Sequence, residues 1–278
     1  MAEITVHRGL FSDVDLHVED TGGTGRPVVL IHGWPLSGAA WVKQVPALAD
    51  AGYRVITYDR RGFGRSDKPG RGYEYDTLAE DLHSIIESLD LEDVTIIGFS
   101  MGGGEVARYF GKYGSERLRS AVFASAVPPY LAKTDDNPDG PLDDATAEQM
   151  ASGLKDDRDA FFPQFVRQFY SVGDDLKASQ QEVADAVALC EQSDQKAALA
   201  CMAAFATTDF RGDLQKVNVP TLVIHGSGDG VVPFEGSGER THETIAGSEL
   251  HVIHGGPHGV ITTDADEWNR VVLDFLQR

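Results

Sequence analysis

The sequence of 278 residues has only two cysteines, Cys190 and Cys201, which form neither a CxxC motif nor part of a cysteine–histidine cluster. A disulfide framework or a zinc site is therefore not expected, and two reduced thiols in a cytoplasmic protein are the simplest interpretation. The N-terminus lacks a basic segment followed by an apolar run, and no stretch approaches about 18 uninterrupted apolar residues. We therefore expect neither a signal peptide nor a membrane span.

Positive charge is also scarce, with 24 basic against 44 acidic side chains and a net charge of −20. Because phosphate binding requires cationic contacts, we expect no nucleic-acid partner and no anionic membrane surface. The acids are unevenly distributed: residues 135–194 carry 15 acidic and 4 basic side chains, a net charge of −11. We hypothesise that the field of this segment repels anionic substrates and admits neutral ones.

In the first half of the chain, short apolar runs typical of buried strands alternate with amphipathic helical patterns. A leading hairpin is predicted at 3–8 and 14–19, further strands at 27–32, 53–58, 93–98 and 118–125, and helices at 38–50, 76–89 and 101–113. One face of the helix 76–89 carries Leu78, Leu82, Ile85, Ile86 and Leu89. This alternation indicates right-handed βαβ crossovers and a mostly parallel central sheet flanked by helices.

The alternation stops between about 128 and 210, where no convincing strand is found. This segment has an Asp/Pro/Gly-rich stretch, followed by helical patterns at 144–154, 158–170 and 180–206. Strands return at 220–226 and 248–255, before a closing helix at 264–277. The sequence therefore predicts an α/β core formed by 1–127 and 211–278, with a helical cap, or lid, inserted at 128–210.

Residues 98–102 read G-F-S-M-G, a G-x-S-x-G motif that follows a predicted strand and begins a predicted helix. A sharp strand-to-helix turn holds its serine in a strained conformation and requires neighbours without bulky side chains. Gly98 and Gly102 meet this requirement. The alternative is an accidental match in a chain with 30 glycines, and the strand–turn–helix context argues against it. We expect Ser100 to be a nucleophile.

A serine nucleophile needs a base, and the base needs a carboxylate that orients it. After such a turn, the expected order along the chain is serine, acid, histidine. Asp229 lies in the glycine-rich loop after the strand 220–226, and His258 lies in the loop after the last strand. Open α/β sheets place their sites beyond the carboxyl ends of strands, so we assign Asp229 as the acid and His258 as the base.

Neighbouring histidines and acids are given structural roles. His251 and His254 fall within the last predicted strand, and His225, at the end of the preceding strand, is interpreted as a packed residue. Asp264 and Asp266 fit the N-terminal turn of the closing helix better than a catalytic role.

An oxyanion hole should combine the backbone N–H after the nucleophile with one from the loop that follows an early strand. The first is the N–H of Met101. The early loop reads H-G-W-P at 32–35, which indicates the N–H of Trp34, since Pro35 has none to donate. The Trp34 ring either forms a wall of the pocket or packs in the core.

Several longer motifs extend this pattern, and together they cover nearly the whole chain. They read H-G-W-P-L-S-G-A-A-W (32–41), Y-D-R-R-G-F-G-R-S (58–66), G-F-S-M-G-G-G-E-V-A-R-Y (98–109), D-F-R-G-D-L (209–214), V-P-F-E-G-S-G-E-R-T-H-E (232–243) and G-G-P-H-G (255–259). The chain resembles the α/β-hydrolase superfamily and, within it, the cofactor-free haloperoxidases, also described as arylesterases and perhydrolases.

The resemblance implies an α/β-hydrolase fold with Ser100, Asp229 and His258 as the triad and the amides of Trp34 and Met101 as the oxyanion hole. One departure is G-S-G-D before the acid, where the family usually has G-D-x-D; the missing carboxylate at Ser227 leaves Asp229 as the one credible acid. The resemblance further implies a serine esterase that works without cofactor or metal and accepts hydrogen peroxide in place of water. It also suggests homo-oligomers, often trimers.

Other functions are open on the same residues. A lactamase or amidase would use the same triad on a poorer leaving group, and a non-catalytic ligand-binding member of the superfamily is disfavoured because all three triad positions are present. A dehalogenase or epoxide hydrolase is disfavoured because it needs a carboxylate at position 100. In the lid, aromatic side chains recur at helical spacing and either face the pocket or pack on the core, namely Phe161, Phe162, Phe165, Phe169 and Tyr170.

Overall fold

A computed structural model of the chain describes the backbone of residues 2–6 and all of residues 13–278. Positions 7 and 8 of the predicted hairpin lie outside the described residues. In the described part the strands are β1 (Ala2–Val6), β2 (Val14–Asp20), β3 (Pro27–Ile31), β4 (Arg54–Tyr58), β5 (Val94–Phe99), β6 (Leu118–Ala124), β7 (Ser171–Val172), β8 (Asp175–Leu176), β9 (Thr221–Gly226) and β10 (Glu249–Ile253).

The helices follow the predicted rhythm closely. They are α1 (Gln44–Asp50), α2 (Tyr75–Ser88), α3 (Met101–Tyr113), α4 (Asp144–Asp156), α5 (Arg158–Phe169), α6 (Gln180–Glu191), α7 (Gln195–Thr207), α8 (Arg211–Leu214), α9 (Gly238–Thr244), α10 (Val260–Thr263) and α11 (Ala265–Leu276). A 3-10 turn at Gly38–Trp41 precedes α1, so the single helix predicted at 38–50 is wrong in its first half.

Eight strands form the central sheet in the order β1-β2-β4-β3-β5-β6-β9-β10. The pairs β1–β2 and β2–β4 are antiparallel, and all the other neighbours in this sheet are parallel. The prediction of a mostly parallel sheet is therefore confirmed. Every residue of β5 is buried, as expected of a strand covered on both faces.

Helices cover the sheet through the apolar faces that their sequences predict. On α2, Leu78, Leu82, Ile85 and Ile86 are buried and Leu89 is partly buried, which confirms the predicted stripe. The α2 helix packs against α3, and α1 packs against α11, where the Trp41 and Trp268 rings lie 5.8 Å apart. These layers leave the carboxyl ends of the parallel strands at one edge of the sheet, below the segment that joins β6 to β9.

That segment, residues 128–210, is called the lid segment below, and its division from the core as a separate unit stays a prediction. Helices α4 to α7 lie in it, with two corrections to the expectation. The pattern at 180–206 is two helices because the Asp194 carboxylate caps α7 by accepting the Ala197 N–H. The short strands β7 and β8 pair with each other where no strand was expected. None of the helices in the described residues has the length and apolar character needed to cross a bilayer.

Candidate active site

Ser100 occupies the turn between β5 and α3. Its backbone has φ 54° and ψ −120°, a conformation that a non-glycine residue adopts only when its surroundings enforce it. The Ser100 N–H donates to the carbonyl of Ala124, and the Ser100 carbonyl accepts from the N–H groups of Gly103 and Val127. These bonds hold the strained turn and place the Ser100 hydroxyl at the carboxyl edge of the sheet.

The glycines of the motif are required by close backbone approach. A Cβ at Gly98 would lie 2.4 Å from the Gly102 carbonyl oxygen, and a Cβ at Gly102 would lie 2.5 Å from the Ile31 carbonyl oxygen. Gly33 is close to the nucleophile itself, because a Cβ there would lie 3.0 Å from the Ser100 Cβ. Side chains at these positions would force the turn and the loop after β3 apart.

The two downstream residues assigned from the sequence meet Ser100 at this edge. His258 Nε2 lies 2.9 Å from Ser100 Oγ, and His258 Nδ1 lies 2.6 Å from Asp229 Oδ2. With Nδ1 donating to the carboxylate, Nε2 is left to accept the hydroxyl proton of Ser100. All three side chains are buried, so the hydrogen-bonded line is shielded from bulk water.

The loops that carry Asp229 and His258 are tied to each other. The Gly228 N–H donates to the Gly256 carbonyl at 2.9 Å, and the Gly255 N–H donates to Ser227 Oγ at 2.8 Å. Ser227, the departure from the family pattern, therefore holds the two loops together instead of offering a second carboxylate.

Asp229 is kept ionised by its surroundings. Its Oδ1 accepts the N–H groups of Val231 and Val232 at 2.9 and 2.7 Å. Burial acts to raise the pKa of Asp229, but the charge of His258 and hydrogen bonds from His225 and His258 outweigh it, so the pKa lies below its usual value.

Sequence reasoning did not predict that His225 contacts the Asp229 carboxylate. It is buried, as predicted, but its Nε2 also lies 3.2 Å from Asp229 Oδ2 and 2.9 Å from the Val232 carbonyl oxygen. The oxygen that accepts from His258 thus faces a second imidazole. The spacing of four residues between His225 and Asp229 was the available signal, and it acquires meaning only once the loop folds back.

The remaining histidines near the end of the chain lie elsewhere. His251 is on β10, where its Nε2 contacts Glu267 Oε1 at 2.8 Å. His254 is exposed and follows β10, so its predicted place within the strand is wrong. Asp264 and Asp266 are at the N-terminal end of α11, as predicted.

The two residues assigned to the oxyanion hole belong to segments close to Ser100. Met101 is the first residue of α3, where helical N–H groups have no partner within the helix. Trp34 follows Gly33, whose backbone closely approaches Ser100. Within residues 13–278, neither amide donates a hydrogen bond to another group of the chain. Both are therefore available to an oxygen bound at the site.

A buried charged network supports the loop that carries Trp34. Arg60 Nη2 donates to the His32 carbonyl at 2.6 Å, and Arg60 Nε donates to Glu105 Oε1 at 2.6 Å. Burial acts to lower the pKa of Arg60, but the Glu105 carboxylate outweighs it and raises the pKa, so the guanidinium stays charged. Tyr58 donates its hydroxyl to the other oxygen of Glu105. Because its polar groups are paired, this network holds the loop of His32 and Trp34 in a defined position.

A pocket with an open volume of about 790 Å³ lies above Ser100. Its aromatic wall is formed by Trp34, Phe165 and Phe205, and the polar side chains on its surface are Ser100, Thr146 and Gln168. The rest of its lining is apolar side chain or glycine, from Val127, Leu131, Pro141, Leu142, Met150, Gly230, Val231, Val232 and Pro233. Among the described residues, no charged side chain lines this pocket.

Trp34 joins the core loop to the lid segment, and both sequence interpretations of its ring hold. The ring lines the pocket and is also packed, because its Nε1 donates to the Ala198 carbonyl at 3.0 Å and it forms a T-shaped pair with the Phe165 ring, with centroids 5.1 Å apart.

The lid aromatics divide between the two predicted roles. Phe165 faces the pocket, whereas Phe162 and Phe169 are fully packed. The Phe169 ring lies 4.9 Å from the His258 ring, and the Gly259 N–H donates to the Phe169 carbonyl. The helix α5 therefore forms part of the pocket wall and also holds the loop of His258.

The two cysteines lie away from this chemistry. Both are buried, and burial raises the pKa of the Cys201 thiol to about 12, which keeps it protonated and unreactive. Across the described residues, no three His, Cys, Asp or Glu side chains are grouped as a metal site.

Comparisons with known proteins agree with this geometry. A family model described as the alpha/beta hydrolase fold matches residues 26–265. The non-heme chloroperoxidase CPO-A1 of Kitasatospora aureofaciens is 42% identical, with 92% of this chain and 94% of that protein aligned. The bifunctional esterase/perhydrolase DCH of Acinetobacter calcoaceticus is 36% identical over 95% of this chain and 96% of that protein.

A crystal structure of bromoperoxidase from Bacillus anthracis has the same architecture, with a TM-score of 0.95, 51% identity and complete coverage of both chains. The chain therefore belongs to the α/β-hydrolase fold family, within its group of non-heme haloperoxidases and perhydrolases. The predicted fold and the family resemblance are both confirmed.

Proposed function

We propose that this protein is a serine hydrolase that cleaves small, uncharged carboxylic esters through an acyl-Ser100 intermediate, with hydrogen peroxide as an alternative to water. The observation that carries the proposal is the hydrogen-bonded line from Ser100 Oγ through His258 to Asp229 beneath an apolar pocket. Relatives named as chloroperoxidase and as esterase/perhydrolase support the same reading.

In the first half-reaction Ser100 Oγ attacks the ester carbonyl carbon while His258 Nε2 takes its proton. Asp229 stabilises the imidazolium and fixes its orientation. The negative oxygen of the tetrahedral intermediate accepts from the N–H groups of Trp34 and Met101, each worth on the order of 10²–10³ in rate in comparable hydrolases. The carbon–oxygen bond to the leaving group then breaks, and His258 returns the proton to the departing alcohol.

In the second half-reaction, water activated by His258 attacks the acyl-Ser100 carbonyl and releases a carboxylic acid. Attack by hydrogen peroxide instead releases a peracid and restores the Ser100 hydroxyl. The peracid can transfer an oxygen atom to a halide ion in solution, which forms hypohalous acid and the carboxylate. Halide oxidation is then a consequence of acyl transfer and needs no site for the halide.

The test compares wild type with Ser100→Ala on p-nitrophenyl acetate. We expect turnover by wild type and a loss of about 10⁴-fold or more in the variant, because the nucleophile and base act as a unit. Activity retained by Ser100→Ala, or no turnover of any short ester by wild type, would refute the proposal. A p-nitroanilide substrate run in parallel tests the amidase alternative.

Perhydrolysis needs a separate assay, in which ester, peroxide and bromide are combined and bromination of a dye is followed. Bromination that depends on the ester supports the peracid route, and its absence would reduce the function to plain ester hydrolysis. The homo-oligomeric state implied by the family resemblance is tested by sedimentation of the purified chain.

A further inference from the structure

A second cleft lies between α4 and α5 and meets the ester pocket. Four residues form walls of both spaces, namely Thr146, Met150, Phe165 and Gln168. Gln149, Gly153, Phe161 and Gln164 complete the second space, whose open volume is about 860 Å³. We call this space the α4–α5 cleft. The two spaces are therefore adjacent, and these four side chains lie at their common boundary.

The cleft is built from one stripe on each helix. Its α4 residues lie at 146, 149, 150 and 153, and its α5 residues lie at 161, 164, 165 and 168. Both sets follow the spacing of three and four that places side chains on one helical face. A Cβ at Gly153 would lie 3.1 Å from the Phe161 ring, so the helices are in contact at that end. The other end, at Thr146 and Gln168, joins the pocket.

The cleft is uncharged although the lid segment around it is strongly acidic. The polar side chains of its wall are the carboxamides of Gln149, Gln164 and Gln168 and the hydroxyl of Thr146. The same two helices carry seven charged side chains that do not line it, namely Asp144, Glu148, Lys155, Asp156, Arg158, Asp159 and Arg167. Segregation of the charges to the other faces leaves an uncharged cleft next to the pocket of Ser100.

The wall also has an apolar part that suits an extended chain. Met150, Phe161 and Phe165 supply it, and the Phe161 and Phe165 rings lie parallel with centroids 6.0 Å apart. Carboxamides both donate and accept hydrogen bonds, whereas a charged group would find no opposite charge in this wall. The matching ligand is an uncharged chain that carries amide, hydroxyl or ether groups on an apolar skeleton.

We propose that the α4–α5 cleft binds the distal part of the ester substrate, an extended uncharged chain with such hydrogen-bonding groups. This inference rests on the proposed esterase function and narrows its substrate class. Gln168 lies at the junction of pocket and cleft, where its Nε2 donates to the Gly230 carbonyl at 3.0 Å beside the catalytic acid. A long substrate passes this side chain on its way from the cleft to Ser100.

The experiment uses the full chain and compares p-nitrophenyl acetate, p-nitrophenyl hexanoate, p-nitrophenyl acetamidohexanoate and the matching trimethylammonio-hexanoate. A second set carries the same tails on the alcohol, followed by acid release, so that either orientation in the cleft is detected. The variant is Gln149→Glu combined with Gln164→Glu, two isosteric changes at exposed positions outside the ester pocket. Gln180→Glu, at the start of α6, is the matched control for added charge in the lid segment.

In at least one set, we expect wild type to prefer the amide-tailed ester over the acetate and the plain six-carbon ester. The double variant should lower kcat/KM for that ester by about tenfold, as expected for a lost hydrogen bond and an uncompensated charge, and leave acetate hydrolysis unchanged. It should also improve the cationic ester, whereas Gln180→Glu should change none of these ratios.

Two results overturn the inference while leaving the esterase function intact. One is a wild type that hydrolyses the acetate but shows no preference for the amide tail in either set. The other is a double variant that changes all esters equally or not at all. Failure of wild type to hydrolyse any of the esters would refute the esterase function together with the cleft.

Discussion

The core and the lid segment use polar groups in opposite ways. In the core, the polar side chains that build the candidate site are buried and paired, as in the Ser100–His258–Asp229 line and the Arg60–Glu105 pair behind the loop of Trp34. In the lid segment, no charged side chain of the described residues lines the ester pocket or the α4–α5 cleft, whose walls offer aromatic rings, aliphatic groups and carboxamides. The core performs the chemistry that we propose, and the lid segment is suited to select what reaches it.

This difference follows from what each region must do. A triad needs donors and acceptors held to within a few tenths of an ångström, which strands and tight glycine turns provide. Selection among esters needs only a surface of the right polarity. The lid segment can therefore carry a net charge of −11 within 60 residues, because its charged groups remain solvated.

The largest expected effect is the loss of the base in the core. His258→Ala should lower kcat for p-nitrophenyl acetate by about 10⁴-fold, nearly as much as loss of the nucleophile. His254→Ala, a change of the same kind at an exposed residue four positions earlier, is the control and should retain full activity. If His254→Ala lost most of its activity and His258→Ala stayed active, the base would be His254 and the assignment of His258 would be wrong.

The next effect concerns the second imidazole at the acid. His225→Phe removes the donor to Asp229 Oδ2 and leaves the buried Val232 carbonyl unpaired, which should cost about 1–3 kcal/mol, or about 5- to 150-fold in kcat where the whole cost falls on the transition state. His225→Gln keeps an amide donor near the position of Nε2 and should restore part of this loss.

The pH profile separates a role at the acid from simple packing. A hydrogen bond to the carboxylate lowers the pKa of Asp229, so its removal should raise that pKa. The carboxylate that has lost this donor would attract the imidazolium form of His258 more strongly. The acid limb of kcat/KM should shift upward in His225→Phe and less in His225→Gln. A lower kcat with an unchanged profile would leave His225 a packing residue.

A smaller effect is expected from the negative charge of the lid segment, which should make anionic esters poorer substrates than neutral ones. At low salt, kcat/KM should be several-fold lower for an anionic ester than for a neutral one of the same shape, and salt should reduce the gap by screening. Asp144→Asn with Glu148→Gln on α4 should narrow the gap, whereas Asp266→Asn with Asp274→Asn on α11 of the core should not. Equal rates for both esters at low salt would contradict the hypothesis.

The smallest effect concerns the ion pair between Glu182 of α6 and Lys43 of the core. Glu182 accepts from Lys43 Nζ at 2.7 Å and completes a capping box with Ser179. The hydrogen bond from Lys43, followed by that from the Ser179 N–H, lowers the pKa of Glu182 to about 2. Because the folded pKa is lower than the unfolded one, this stabilisation is complete above about pH 4.5 and fades as the pH falls toward 2.

Glu182→Gln should therefore lower the free energy of unfolding by about 0.5–1 kcal/mol near pH 7, a range reduced because both partners are partly exposed. Urea unfolding near pH 7 and near pH 3 measures the difference, which should be smaller at the lower pH. If wild type and Glu182→Gln differed equally in free energy of unfolding at both pH values, the charge of Glu182 would not stabilise the fold.

Much of the site could be predicted because its residues are marked by local rules. Ser100 is identified by glycines two positions away on a strand-to-helix turn, and Asp229 and His258 each lie in a loop just after a strand. The predictions failed where distant segments decide the outcome. The break between α6 and α7 lies at Asp194, whose N–H donates to the carbonyl of Gly62, and His254 is beyond the last residue of β10 that pairs with β9.

The parallel sheet, the strand-to-helix turn of Ser100 and the loops of Asp229 and His258 could be predicted because hydrophobic period, glycine placement and chain order are local signals. Three features emerge only in the folded chain: the contact of His225 with Asp229, the packing of Trp34 on the lid segment, and the uncharged cleft lined by carboxamides of α4 and α5. Each of these depends on the packing of segments far apart in the chain, where the partner of a side chain is set by long-range contacts and not by its neighbours.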